Sequence, residues 1–143
     1  MASKCTGRNS ELEGVNMGYV FYNANPVNRD TDDCVVRAIA VLLEEDWLSA
    51  YIRVCIQGGI DYRMPSTNGT WSAFLSKEGY KRHVIPNTCP DCYTVRDFCY
   101  DHPEGKFLVA TGDHVVAVVN GNYYDTWDCG DKVPMYYWEK ENY

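Results

Sequence analysis

The chain has 143 residues, 45 % of them hydrophobic, with four Trp, twelve Tyr and four Phe. That suits one domain with its own core, is too short for two domains of ordinary size, and is too rich in aromatic surface for a disordered chain. A net charge of −7, with no basic patch set against it, argues against nucleic-acid partners and against an anionic membrane surface, both of which need a positive field.

Residues 1–16 read as a loose polar lead-in. They contain no apolar core of signal-peptide length, and no later stretch reaches the length of a membrane span, so a cytoplasmic location is expected. Met17 to Tyr22 reads as a short strand, followed by the turn-rich Asn23-Ala24-Asn25-Pro26-Val27-Asn28. Asp30, Thr31, Asp32 and Asp33 then offer N-caps for a helix from Cys34 to about Glu44 that is apolar almost all round, interrupted only by Arg37. A second helix is expected from Asp46, with Trp47, Tyr51, Val54 and Cys55 on one face and Gly58-Gly59 as terminator. Ile60 to Gly69 reads as a loop. Trp71, Phe74, Leu75 and Glu78 mark a third helix closed by Gly79, and Lys81 to Ile85 a strand. Thr94-Val95-Arg96-Asp97 has the spacing of a capping box, with Val95, Phe98, Cys99 and His102 continuing one helical face to Pro103.

From Lys106 the period becomes that of strands: Phe107 to Thr111, then His114 to Val119 joined by Asn120-Gly121 to Asn122 to Asp128, and finally Val133 to Trp138. Asn-Gly supplies the positive φ angles of a type I′ hairpin turn. Helices first and strands last describe an α+β fold, here an N-terminal buried helix packed on a C-terminal antiparallel sheet.

The hairpin register carries chemistry. A two-residue turn at Asn120 and Gly121 sets Val118 opposite Tyr123 and Val116 opposite Asp125, and it puts His114 on the face that Asp125 and Trp127 share. Asp125 is then the diagonal neighbour of His114, roughly 7 to 8 Å away between backbones, a gap that two side chains bridge. Such a carboxylate fixes the imidazole tautomer and stabilises its charged form. Trp127 is placed to cover the pair. At the other end of the chain the thiol of Cys34 gains from the helix N-terminus, while Asp32 and Asp33 oppose its ionisation. A neighbouring imidazolium would restore the thiolate.

A cysteine opening a central helix, followed by a C-terminal sheet with His and an acidic residue on neighbouring strands, resembles the papain-like cysteine peptidase superfamily. The likeness rests on Asp33-Cys34-Val35-Val36-Arg37-Ala38, on His114 to Gly121 and on Tyr124-Asp125-Thr126-Trp127-Asp128. It is nearest to the small papain-like proteins of phages and prophages of Gram-positive bacteria. The resemblance implies Cys34 as nucleophile, His114 as general base and acid, Asp125 as orienter, and an amide or thioester substrate on a peptide or protein, with no cofactor. It also implies an oxyanion hole made by the Cys34 backbone N–H and an amide side chain. Where papain-like enzymes usually carry Gln, six residues before the cysteine, this chain has Asn28.

Two other readings stand beside it. The same scaffold without an assembled triad would be an interaction protein that binds a host protein or sequesters a small molecule. Cys89, Cys92, Cys99 and His102 have the inventory of a Cys3His zinc site, with Cys89-Pro90-Asp91-Cys92 also suited to a redox pair. In the plainer alternative these are buried structural thiols. Seven cysteines without a secretory signal favour free thiols or a metal site over a disulfide framework.

Overall fold

The computed structural model describes residues 18–29, 31–86 and 93–141. The lead-in expected over residues 1–16, the start of the first strand at Met17, the cap candidate Asp30 and the pair Cys89 and Cys92 lie outside the described residues. In chain order the elements are β1 (Gly18–Phe21), α1 (Cys34–Leu43), α2 (Trp47–Asp61), α3 (Asn68–Lys77), β2 (Tyr80–Val84), α4 (Val95–Asp101), β3 (Lys106–Ala110), β4 (Val115–Val119), β5 (Asn122–Asp125) and β6 (Tyr136–Lys140). The fold is α+β, with one six-stranded sheet in the order β1-β5-β4-β3-β6-β2.

The sheet is mixed rather than wholly C-terminal and antiparallel. β1 lies parallel to β5, from Gly18 opposite Asn122 to Phe21 opposite Asp125, while the other pairings are antiparallel. Gly18 N–H anchors that edge by donating to Gly121 O (3.1 Å) and Asn122 Oδ1 (3.0 Å). The hairpin keeps the register its turn dictates: Val119 faces Asn122 and Val118 faces Tyr123, with φ of 50° at Asn120 and 79° at Gly121.

β3 and β4 form the centre of the sheet and are buried on both faces, which is why they read as nearly unbroken apolar runs. Leu108, Ala110, Val115 and Ala117 face α1, α2 and α3 in one core with Ile39, Leu42, Val54, Trp71 and Leu75. Phe107, Val109, Val116 and Val118 face the second core, where α4 contributes Val95, Phe98 and Cys99. α4 opens with the expected capping box between Thr94 and Asp97, and α2 with Asp46, whose carboxylate accepts from Ser49 N–H at 2.8 Å.

Gly58 and Gly59 do not end α2. The helix continues to Asp61 and stops at Tyr62, which is left-handed (φ 57°) and donates its N–H back to Gly58 and Gly59 carbonyls. At Gly58 a side chain is excluded because a Cβ would stand 2.6 Å from Arg63 O. The loop expected from Ile60 to Gly69 shrinks accordingly to residues 62–67, and α3 begins at Asn68 behind the N-cap Thr67.

Ile39 on α1 is fully buried against the sheet. Ile39→Ala is expected to lower stability by about 2–5 kcal/mol through lost transfer energy and the cavity left behind. Urea unfolding followed by Trp fluorescence measures this, and a loss under about 1 kcal/mol would contradict the packing described for α1.

Candidate functional site

The segment before α1 is shaped by short polar side chains bonding local backbone. Asn25 N–H donates to Asn23 Oδ1 and Val27 N–H to Asn25 Oδ1, each at 3.0 Å. Asn25, itself buried, donates its side-chain amide to Asp33 Oδ2 (3.2 Å), which also accepts from Trp47 Nε1 (2.8 Å). These contacts fix Asp33 as the N-cap residue of α1 and Cys34 as its first helical residue.

One turn into α1, Arg37 joins this end of the helix to the far end of the sheet. Its Nε donates to Asp33 Oδ1 at 2.8 Å and its Nη1 to Asp125 Oδ1 at 2.7 Å. Asp125 closes β5, is buried, and accepts at the same oxygen from Thr126 N–H at 2.7 Å. Its other oxygen, Oδ2, meets His114 Nε2 at 2.5 Å. His114 precedes β4 and is held through its own carbonyl, which accepts from Thr111 N–H (2.8 Å) and Thr111 Oγ1 (3.1 Å). With Nε2 committed to Asp125, Nδ1 is the other ring nitrogen, and the thiols of Cys34 and Cys129 both lie close enough to His114 to influence its charge. Trp127 covers the imidazole, with ring centroids 5.0 Å apart.

The electrostatics follow from these contacts. Burial alone would push the Cys34 pKa up, but the neighbouring His114 ring and Val115 backbone, together with the positive charges of His114 and Arg37, bring it below its ordinary 9.0. Burial pulls His114 down, and the bond to Asp125 with weaker ones to Cys129 and Cys34 overrides it, raising the imidazole from 6.5 to about 11. Burial opposes ionisation of Asp125 and Asp33 too. His114 and Arg37 outweigh it for Asp125, and Arg37, Asn25 and Trp47 for Asp33, so both stay below 3.8. The opposition expected from Asp33 to a Cys34 thiolate is therefore absorbed by Arg37.

The thiol opens on a cleft of about 1130 Å³ whose walls include Asn25, Trp47, Trp71, His114, Trp127 and Tyr136. Its lining is more apolar than polar, with Cys34 and His114 among its few reactive groups.

Of the three residues expected to act together, His114 and Asp125 are hydrogen-bonded, and Cys34 lines the same cleft as His114. The structure does not bring Asn28 to the cleft: that residue is exposed and left-handed (φ 52°), and its Oδ1 accepts from Asn23 Nδ2 at 3.0 Å. Spacing from the cysteine selected Asn28, but the Asn-rich turn directs its amide outward. Cys99 is buried among Val95 and Phe98, and burial pushes its thiol up to about 12. His102 stacks on Phe98 at 3.9 Å and shares its Nδ1 with Phe98 O at 2.9 Å. Both thus belong to an aromatic core, and the remaining two cysteines of that quartet are outside the described residues.

Two site residues were not singled out in the sequence. Arg37 has a signal there, as the lone charge of an apolar helix and four residues after an aspartate, the spacing of a helical ion pair. Cys129 has none. It is buried behind the imidazole, and among the described residues the donor atoms of His114, Asp125 and Cys129 form a group within 4.8 Å of one another. His114 Nε2 and Asp125 Oδ2 at 2.5 Å are closer than two ligands on one zinc, about 3.2 to 3.8 Å apart, so they stand as a hydrogen-bonded pair.

Compared with protein-family models, with curated proteins and with solved structures, the chain finds no match. Among the described residues no helix is long and apolar enough to cross a membrane.

Stability should depend on pH from both sides. Asp33 and Asp125 are depressed below 3.8, so their contribution is present above that value and is lost as pH falls through their folded pKa values. His114 is raised from 6.5 to about 11, so its contribution is full below 6.5 and is lost as pH rises to and through 11. The urea midpoint is expected to be highest between about pH 4 and 6.5 and to fall on either side, with His114→Ala flattening the alkaline limb. Arg37→Met, which leaves two buried carboxylates without their shared cation, is expected to cost about 3–5 kcal/mol and to move the acid limb to higher pH. A midpoint indifferent to Arg37 would contradict the network.

Proposed function

We propose that the chain is a cysteine-dependent hydrolase or acyl transferase with a papain-like arrangement of Cys34, His114 and Asp125, acting on an amide or thioester. The observation that supports this reading is an imidazole paired with a buried carboxylate and lining the same open cleft as a helix-terminal thiol whose pKa is lowered. A nucleophile within reach of a base, with the base oriented by a third group, is the general pattern of nucleophilic catalysis.

In this mechanism the Cys34 thiolate attacks the acyl carbon, and the carbonyl electrons move to oxygen. The backbone N–H groups at the start of α1 and the positive end of the helix receive that oxyanion. The adduct collapses as His114 gives its proton to the leaving amine or thiol, leaving the acyl group on Cys34. His114, now neutral, takes a proton from water. The hydroxide attacks the thioester, releasing the acid and restoring the thiolate and the imidazolium; an incoming amine or alcohol in place of water gives acyl transfer. Asp125 keeps its charge throughout and holds the ring by Nε2.

The reading predicts that iodoacetamide alkylates Cys34 about 100-fold faster than Cys55 at neutral pH, since Cys55 is also half-buried but has no imidazole partner. His114→Ala should remove the preference, and Cys34→Ser should abolish acyl release from an aryl thioester and from a fluorogenic peptide amide. Equal alkylation of Cys34 and Cys55 would sink the proposal.

A further inference from the structure

α2 has a second apolar face, turned away from the core, that reaches the cleft only at Leu48 and Tyr51. Ala50, Val54, Gln57 and Gly58 turn into the core, yet Leu48, Ile52, Ile56 and Ile60 are 59, 47, 59 and 57 % exposed. Tyr51, Cys55 and Gly59 fall between them, so positions 48, 51, 52, 55, 56, 59 and 60 form a continuous outward stripe of helical period without a charge. A surface helix normally turns charged residues to water on this side.

We propose that this face is the contact surface of a homodimer, formed by antiparallel pairing with α2 of a second copy of the chain. Four observations favour a second copy over another occupant. The stripe is uncharged along its length and so is complementary to itself, as a twofold interface requires. Opposite charges flank the helix, exposed Asp46 at its N-cap and exposed Arg63 just beyond its C-terminal end, and antiparallel pairing with a second copy opposes the helix dipoles. The intervening charges are already paired within the chain, Arg53 with Glu45 at 2.8 Å and Asp61 with Gln57 at 2.9 Å.

Area is the third argument. With Tyr62 and Met64, 94 and 69 % exposed, the stripe offers on the order of 800 Å², what one partner brings to a standard interface. The fourth is Gly59. A glycine inside an exposed helix destabilises it relative to alanine, and whereas Gly58 is required by Arg63 O, a Cβ on Gly59 would meet nothing within 4 Å of its own chain. A neighbouring helix passing close to the backbone gives that glycine a reason.

The test is sedimentation velocity on the full chain from about 1 to about 200 µM. The wild type is expected to shift from 16.4 kDa to twice that mass within the range. Ile56→Glu should weaken the dimer by at least about 100-fold by setting two carboxylates against each other. Gly59→Leu should weaken it comparably while leaving far-UV helix content unchanged or raised. A merely structural role for the glycine predicts the dimer intact. A wild type that stays at 16.4 kDa throughout, or a dimer that both variants leave unaltered, overturns the proposal. So does a monomer that pairs only after residues 1–17 are removed, which would assign the face to the chain's own N-terminal segment.

Discussion

The structure turns on the guanidinium of Arg37, which holds two buried carboxylates brought from opposite ends of the chain. Asp33 sits at the start of α1 and Asp125 at the end of β5, and neither could stay ionised in its place without a cation. Arginine suits the task because its donors form a rigid planar fork that stays charged at every accessible pH, so one side chain serves both partners at fixed angles. A lysine would offer a single point charge on a mobile stem. The bridge therefore sets the position of α1, and with it Cys34, along the sheet.

Such a network is weak evidence for stability, because taking several charges out of water costs about as much as their attraction returns, and a well-packed apolar replacement is often as stable. Its value here lies in geometry. An apolar α1 can slide or rotate on an apolar sheet at modest cost, whereas Arg37 can meet both carboxylates in one register only. The thiol is placed by the same constraint that neutralises its neighbour Asp33, so the local field at Cys34 is set by His114 and Arg37 rather than by the aspartates that precede it.

Where the determining chemistry is local, the sequence carries it in full. Asn120-Gly121 fixes the turn, the turn fixes parity, and parity brings His114 and Asp125 together; Thr94 and Asp97 likewise mark the start of α4. Long-range pairings are carried less well. Nothing in Gly18 to Phe21 says that it will lie parallel to β5, because an edge strand pairs with whichever neighbour the rest of the sheet leaves open. Gly58-Gly59 reads as a stop signal because the conformational freedom of glycine is visible in sequence, while the close approach of Arg63 O is not. Spacing from Cys34 points to Asn28, and spacing does not register that Asn23 and Asn25 fold the segment on itself. Arg37 interrupts an apolar helix; its role becomes visible only when Asp125 stands opposite it.

The supports of His114 set it apart from the rest of the cleft wall. His114 is fixed at its backbone carbonyl by Thr111, at Nε2 by Asp125, across its ring by Trp127, and behind by Cys129. All but Cys129 are held in turn by a strand end or a short turn of the same hairpin region. Under the proposed function, groups fixed in advance of reaction need no reorganisation as charge moves, the condition under which a buried polar site acts most strongly. The segments before α1 and between β3 and β4 supply much of the lining, and within them Asn25, Asp33, Thr111 and His114 hold the site together. Substitutions at the other lining positions can reshape what the cleft admits while the thiol, the imidazole and the carboxylate keep their places.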